Sequence, residues 1–226
     1  MNVIITGSTG MVGKGVLFEC LDSDLVQNVL VVNRRPLGIE HAKLKEILVP
    51  DFLSIGGDAS LQFSDYDACF FCMGVSAFGL SEEEYRRITY DMTINFARIF
   101  HSVNPNAQFI YVTGEGTDSS ESGNIMWARV KGKTENDILS MGFKHAYMFR
   151  PGYIQPMRGI KSKTKLYNSL YVVAKPLFPI IKALAGDKVT TTEAVGKAMI
   201  NAVRFGYSEN IIHSKDINEL ASLKNH

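Results

Sequence analysis

The sequence predicts an α/β fold, a doubly wound parallel sheet finished by a small C-terminal cap. Three features of the chain carry that expectation. Short apolar runs alternate with helix-like runs over about 150 residues, an order that builds a parallel sheet covered on both faces. Right-handed crossovers then wind it outward in both directions. A glycine-rich turn, Thr6-Gly7-Ser8-Thr9-Gly10-Met11-Val12-Gly13, separates the first apolar run from the first helix. With 226 residues, 46% apolar and 21% charged, the chain can bury a sizeable core as a single domain. That domain spans 1–226, and about 153–226 form its cap and C-terminal part.

In order, residues 3–6 read as a first strand and 11–21 as a helix. Residues 29–33 and 46–49 read as the second and third strands, and the strongly apolar run 66–73 as the fourth. Ser81-Glu82-Glu83-Glu84 supplies a cap and an acidic first turn to a long helix running toward His101. Asn104-Pro105-Asn106 stops it, and 108–113 is the fifth strand. A helix over 125–141 ends at Gly142, and the sixth strand, 146–150, closes at Pro151-Gly152. Basic and aromatic residues then dominate 158–171. Thr192-Glu193 opens a helix to about Phe205, followed by a short run at 210–213 and a small terminal helix.

Composition excludes several classes. Net charge is +1, from 24 basic and 23 acidic residues, so no global field attracts nucleic acid or an anionic membrane. Cys20, Cys69 and Cys72 are too few for a disulfide framework and fit a reducing cytoplasm. The first residues lack the basic flank of a signal peptide. No stretch reaches ~18 uninterrupted apolar residues, since Lys175, Pro176, Pro179 and Lys182 break the run from Leu166 to Ala185. A cytoplasmic protein is expected. Cys69 and Cys72 lie three apart on a strand and face opposite sides. The histidines at 41, 101, 145, 213 and 226 show no ligand spacing, so no metal is expected. Glu115, Asp118 and Glu121 read as one solvated loop, and no G-x-S-x-G elbow is present. Arg158, Lys161, Lys163 and Lys165 begin a basic stretch running to Leu184, read as a lid over a cofactor rather than a membrane contact.

Glycines at 7, 10 and 13 suit a dinucleotide turn. One makes the tight bend, one lets a pyrophosphate reach the backbone, and one lets helix pack on strand. The helix start offers unpaired N–H groups and positive dipole to the phosphates, so residues 7–13 are candidate ligands. An NAD site usually carries a carboxylate about 20 residues past the turn. Here that spacing meets Asn33, followed by Arg34 and Arg35. Guanidinium pairs bidentately with phosphate, which favours NADP, with NAD the alternative. Asp51 and Phe52, after the third strand, are candidates to bond and flank the adenine.

Together these residues resemble the atypical branch of the short-chain dehydrogenase/reductase superfamily, a Rossmann family. The likeness rests on Gly7-x-x-Gly10-x-x-Gly13, Asn33-Arg34-Arg35, Cys72-Met73-Gly74, Val130-Lys131-Gly132-Lys133-Thr134-Glu135 and Arg150-Pro151-Gly152. It covers about residues 1–155 and looks closest to Tat-interacting-protein-like, NmrA-like and epimerase-like members. The resemblance implies a tyrosine as general acid or base, a lysine four residues later on the nicotinamide ribose, and a serine or threonine after strand five. Lys131 fits the lysine and Thr113 the hydroxyl, with Thr117 second. Met73, Gly74, Pro151, Gly152 and Tyr153 fall on the cofactor side. Tyr153 is a possible proton donor, though packing suits it better.

Trp127 stands where the tyrosine belongs. An indole N–H only donates a hydrogen bond and cannot exchange a proton near neutrality. Tyr171 and Lys175 repeat the spacing but lie past strand six and are set aside. The expected function is NADP(H)-dependent oxidoreduction of a small carbonyl-type substrate. The alternatives are a non-catalytic NADP(H)-binding redox sensor or interaction protein, and a nucleotide-sugar epimerase-like enzyme.

Overall fold

A computed structural model describes residues 1–56, 61–160 and 186–223. The lysines at 161, 163 and 165, the interrupted run 166–185 and the Tyr171/Lys175 pair lie outside the described residues, as does His226. Strands and helices alternate as expected: β1 (Asn2–Thr6), α1 (Met11–Asp22), β2 (Asn28–Asn33), β3 (Leu44–Leu48) and β4 (Ala68–Phe71) come first. The chain continues through α2 (Glu82–Arg86), a π turn (Arg87–Asp91), α3 (Met92–Val103), β5 (Gln108–Val112), α4 (Met126–Leu139) and β6 (His145–Arg150). β7 (Tyr153–Gln155), β8 (Val189–Thr191), α5 (Thr192–Phe205), β9 (Ile211–His213) and α6 (Ser214–Ser222) complete it.

Seven of the described strands form one sheet in the order β3-β2-β1-β4-β5-β6-β9. Every pairing in it is parallel. Side chains on a strand alternate between faces, and both faces of this sheet are covered. Val3, Ile5, Phe70 and Ile110 pack under α1, α5 and α6, through Val16, Leu17, Val195, Met199, Ile217 and Leu220. Ile4, Phe71, Phe109 and Met148 face the other way, against Phe96 and Phe100 of α3 and Ile138 of α4. Burying each of these large side chains is worth roughly 1.5–3 kcal/mol.

Three details differ from the sequence reading. The fourth strand is shorter than 66–73, because Tyr66 N–H turns to Asn104 Oδ1 (3.2 Å) and the chain leaves the sheet after Cys72 N–H bonds Thr6 O (3.3 Å). The helix opened by the Ser81–Glu84 capping box is not continuous, since a π turn interrupts it at Arg87–Asp91. Residues past 188, read with the cap, are built into the main layers: β9 extends the sheet beside β6, and α5 packs on α1. A small second sheet pairs β7 with β8 in parallel.

Candidate cofactor and catalytic site

Strand order reverses between β1, which leads to β2 and β3, and β4, which leads to β5 and β6. In open α/β sheets the crevice beyond the strand ends at this switch point is where ligands bind. The glycine turn lies there. Gly7 has φ +69°, and a Cβ on it would sit 2.6 Å from Cys72 O. A Cβ on Gly13 would overlap Gly7 O, so both positions need bare backbone. Gly10 N–H bonds Gly7 O at 2.8 Å. Gly10 also caps α1 with no side-chain hydrogen bond, which leaves the helix start to backbone N–H groups. The residues present thus fit a dinucleotide pyrophosphate.

Gly7, Thr9, Gly10, Asn33, Arg34, Arg35, Phe52, Met73 and Gly74 line one groove of ≈ 690 Å³ with Val32, Pro50, Cys72, Val75 and Ser76. Nine sequence-derived candidates therefore meet in one place. Arg34 and Arg35 are exposed, and neither forms an ion pair among the described residues. The remaining candidates on this side support the groove from behind. Ser8 is fully buried and its hydroxyl donates to Asn33 Oδ1 at 2.9 Å. Asn33 Nδ2 donates to Glu46 Oε1 at 2.9 Å, and the same carboxylate accepts Leu37 N–H at 3.0 Å. Asp51 Oδ1 accepts Leu53 N–H at 3.0 Å, closing the turn that presents Pro50 and Phe52. Met11, Val12 and Gly13 form the first turn of α1. Glu46 was not foreseen, because an acidic residue on an edge strand carries no local signal.

The second cluster lies at the carboxyl ends of β5 and β6. Trp127, Lys131 and Glu135 are spaced by four on α4, so they share a face. Lys131 Nζ donates to Thr113 O at 2.6 Å. Burial lowers its pKa to about 8, against an opposing pull from Glu135. The Lys131 ammonium lies 5.9 Å from the Trp127 ring. The indole packs on the loop at Gly116, where a Cβ would lie 3.4 Å from it. The same loop presses so closely on α4 that a Cβ on Gly132 would overlap Asp118 O. Loop and helix therefore hold Lys131 and Trp127 together.

Thr113 Oγ1 lies 2.5 Å from Glu135 Oε1 and 3.2 Å from Phe149 O, so its hydroxyl points into the protein. Glu135 is fully buried and paired with the Arg150 guanidinium, which also reaches Ser119 Oγ at 2.5 Å. Thr117 hydroxyl donates to Gly114 O at 2.8 Å. Gly152 N–H bonds Ser214 Oγ at 2.8 Å, and Pro151 O accepts Glu115 N–H at 3.0 Å. Tyr153 hydroxyl donates to Gln155 Oε1 at 2.8 Å, and burial raises its pKa. One contact escaped the sequence reading: His213 Nδ1 meets Glu115 Oε2 at 3.0 Å, across 98 positions of chain. Cys20 and Cys69 are buried and Cys72 partly so; all are free, and burial pushes the Cys72 thiol up to about 12. No described group of three His, Cys, Asp or Glu is placed to hold a metal.

This strand order with a glycine turn at the switch point defines a Rossmann-type, doubly wound fold. Solved structures share the fold. MoeE5 in complex with UDP-glucose and NAD superposes with a TM-score of 0.67 at 15% identity, over 94% of this chain and 75% of that one. Helicobacter pylori ADP-L-glycero-D-manno-heptose-6-epimerase gives 0.65 at 17% identity, over 94% and 76%. Among curated proteins, the chain is 25% identical to Protein FMP52-1, mitochondrial, of Scheffersomyces stipitis, over 99% of this chain and 98% of that one. It is 26% identical to Protein HTATIP2 of Rattus norvegicus, over 68% and 62%. No protein-family model matches the chain.

Proposed function

We propose that the protein binds NADP(H) in the groove at the switch point and reduces a small carbonyl-type substrate beside Lys131. Arg34 and Arg35, at the end of β2, carry this reading: both guanidinium groups line the groove and neither forms an ion pair among the described residues. They stand where a ribose-binding carboxylate would select NAD, and suit a 2′-phosphate. When bound, the cofactor supplies the hydride. The Lys131 ammonium holds the ribose, and the loop at Thr113 frames the substrate.

Calorimetric titration is expected to show tighter binding of NADP(H) than of NAD(H). Arg34→Ala with Arg35→Ala should erase most of the preference, at a cost on the order of 1.5–3 kcal/mol per lost charge-assisted bond. Equal affinity for the two cofactors in the natural protein would sink the assignment.

A pH dependence follows from Lys131. Its ammonium donates to the Thr113 carbonyl and is the form that bonds a ribose hydroxyl. With its pKa lowered to about 8, the charge is largely present at neutral pH and is lost as pH rises through that value. NADP(H) affinity should therefore weaken on the alkaline side of pH 8. In Lys131→Met it should be weaker throughout and flat with pH. A natural protein with constant affinity across that range would remove Lys131 from the ribose site.

Trp127 favours a second reading, an NADP(H)-binding protein without catalysis, because the indole cannot replace a phenol in proton transfer. The partners proposed are the cofactor and a small-molecule substrate, without nucleic acid or membrane. Free cysteines suit a reducing compartment such as the cytoplasm. The relative from Scheffersomyces stipitis is named mitochondrial, so organelle fractionation is the check. No described helix is long and apolar enough to cross a membrane.

A further inference from the structure

We propose that His213, paired with Glu115, donates the proton to the substrate oxygen that tyrosine would otherwise supply; this rests on the carbonyl-reductase reading above. The two residues lie far apart in the chain and meet at the carboxyl edge of the sheet. His213 ends β9, opposite Arg150 of β6. Thr113 N–H bonds Phe149 O, so Thr113, Arg150 and His213 lie in one row across the ends of β5, β6 and β9.

Glu115 joins that row to the lysine. A Cβ on Gly114 would lie 3.9 Å from both Lys131 Nζ and Pro151 O. The next residue, Glu115, bonds that same Pro151 carbonyl through its N–H at 3.0 Å. Its carboxylate then meets His213 Nδ1 at 3.0 Å. Both side chains are about half exposed, at 47% and 58%, so the pair is open to water. His213 is also the N-cap of α6, its N–H donating to Asp216 Oδ2 at 2.9 Å within a capping box.

As a structural ion pair this contact has little to offer, because exposed pairs are worth only about 0–1 kcal/mol. As chemistry it has the parts of an oriented acid. A carboxylate on Nδ1 orients the imidazole, and the other nitrogen, Nε2, is the one that can serve a ligand. Histidine is also the side chain whose ordinary titration falls near neutrality.

Hydride from NADPH forms a C–H bond at the carbonyl carbon, and the C=O π pair moves onto oxygen. That oxygen takes the Nε2 proton, leaving an alcohol, NADP⁺ and neutral imidazole. Water returns a proton to the exposed ring. Trp127 needs no part in proton transfer and is free to cover the flat face of a ligand.

The experiment uses the full chain with 4-nitrobenzaldehyde as carbonyl probe. His213→Gln should lower kcat about 10²-fold, the lower range for general acid catalysis, with the NADPH Kd unchanged. Added imidazole should restore part of the rate. In a Trp127→Tyr background, where a phenol supplies the proton, His213→Gln should change kcat less than about threefold, a rescue that a merely structural role would not give. A readout without turnover is the His213 Cε1–H NMR resonance, assigned by difference against His213→Gln. It should move when the aldehyde is added with NADP⁺, and move less in Glu115→Gln. Unchanged kcat in His213→Gln, or an unmoved resonance, overturns the proposal. Failure to bind NADPH overturns the cofactor reading instead, and the resonance with aldehyde alone still decides the dyad.

Discussion

Replacing Trp127 by tyrosine is expected to raise NADPH-dependent carbonyl reduction by roughly 10²-fold, the lower end of what a positioned acid contributes. Position 127 lies one helical turn before Lys131 on the same face of α4, and the Lys131 ammonium already lies 5.9 Å from the ring there. A phenol at that place would feel the cation and ionise more readily. The lower end applies because the His213–Glu115 pair supplies a proton in the natural protein. Adding Lys131→Met to Trp127→Tyr should abolish the gain. Loss of NADPH absorbance across an aldehyde, ketone and quinone panel reads the effect. Strong turnover by the natural protein that falls in Trp127→Tyr would show the indole serving substrate binding in a working enzyme. The non-catalytic reading would then be wrong.

Truncating Arg150 is expected to be the most damaging single change to stability. Arg150→Met would leave the fully buried Glu135 carboxylate without its guanidinium partner. Breaking one side of a buried pair typically costs about 3–5 kcal/mol, because the remaining charge is neither solvated nor matched. Glu135→Leu combined with Arg150→Met removes both charges and should cost far less than Arg150→Met alone. Urea unfolding of the three proteins checks this. A loss below about 1 kcal/mol in Arg150→Met would mean that water reaches Glu135 and that the pair is effectively a surface one.

Legibility followed the range of the interaction. The glycine turn was readable because strand, turn and helix are contiguous, and steric need for glycine at 7 and 13 is local. Lys131 and Trp127 were picked out by the resemblance to a known family, and their spacing of four on α4 puts them on one face. Arg34 and Arg35 fall in the groove because they directly follow the end of β2, a position that the strand pattern marks. Asn33 lines the groove, but its tie to Glu46 depends on the β2–β3 register, which no pattern in either strand announces. His213 and Glu115 meet only because β9 joins the sheet beside β6. The β7–β8 pairing likewise joins short segments far apart in the chain. The π turn adds a residue to one helical turn without any glycine or proline to mark it.

The Glu46 carboxylate has a kinetic consequence. It accepts from Asn33, just before the two arginines, and from Leu37, just after them, so one side chain clamps both ends of their loop. The backbone entropy of that loop is therefore lost when the protein folds, not when a ligand arrives. Only the two arginine side chains remain to be ordered on binding, at about 0.5–1.5 kcal/mol each. Cofactor capture at this end should be a single bimolecular event, with an observed rate linear in concentration and no slow loop closure. Discrimination between a phosphate and a hydroxyl should then reside in how long the cofactor stays, with arrival rates nearly alike.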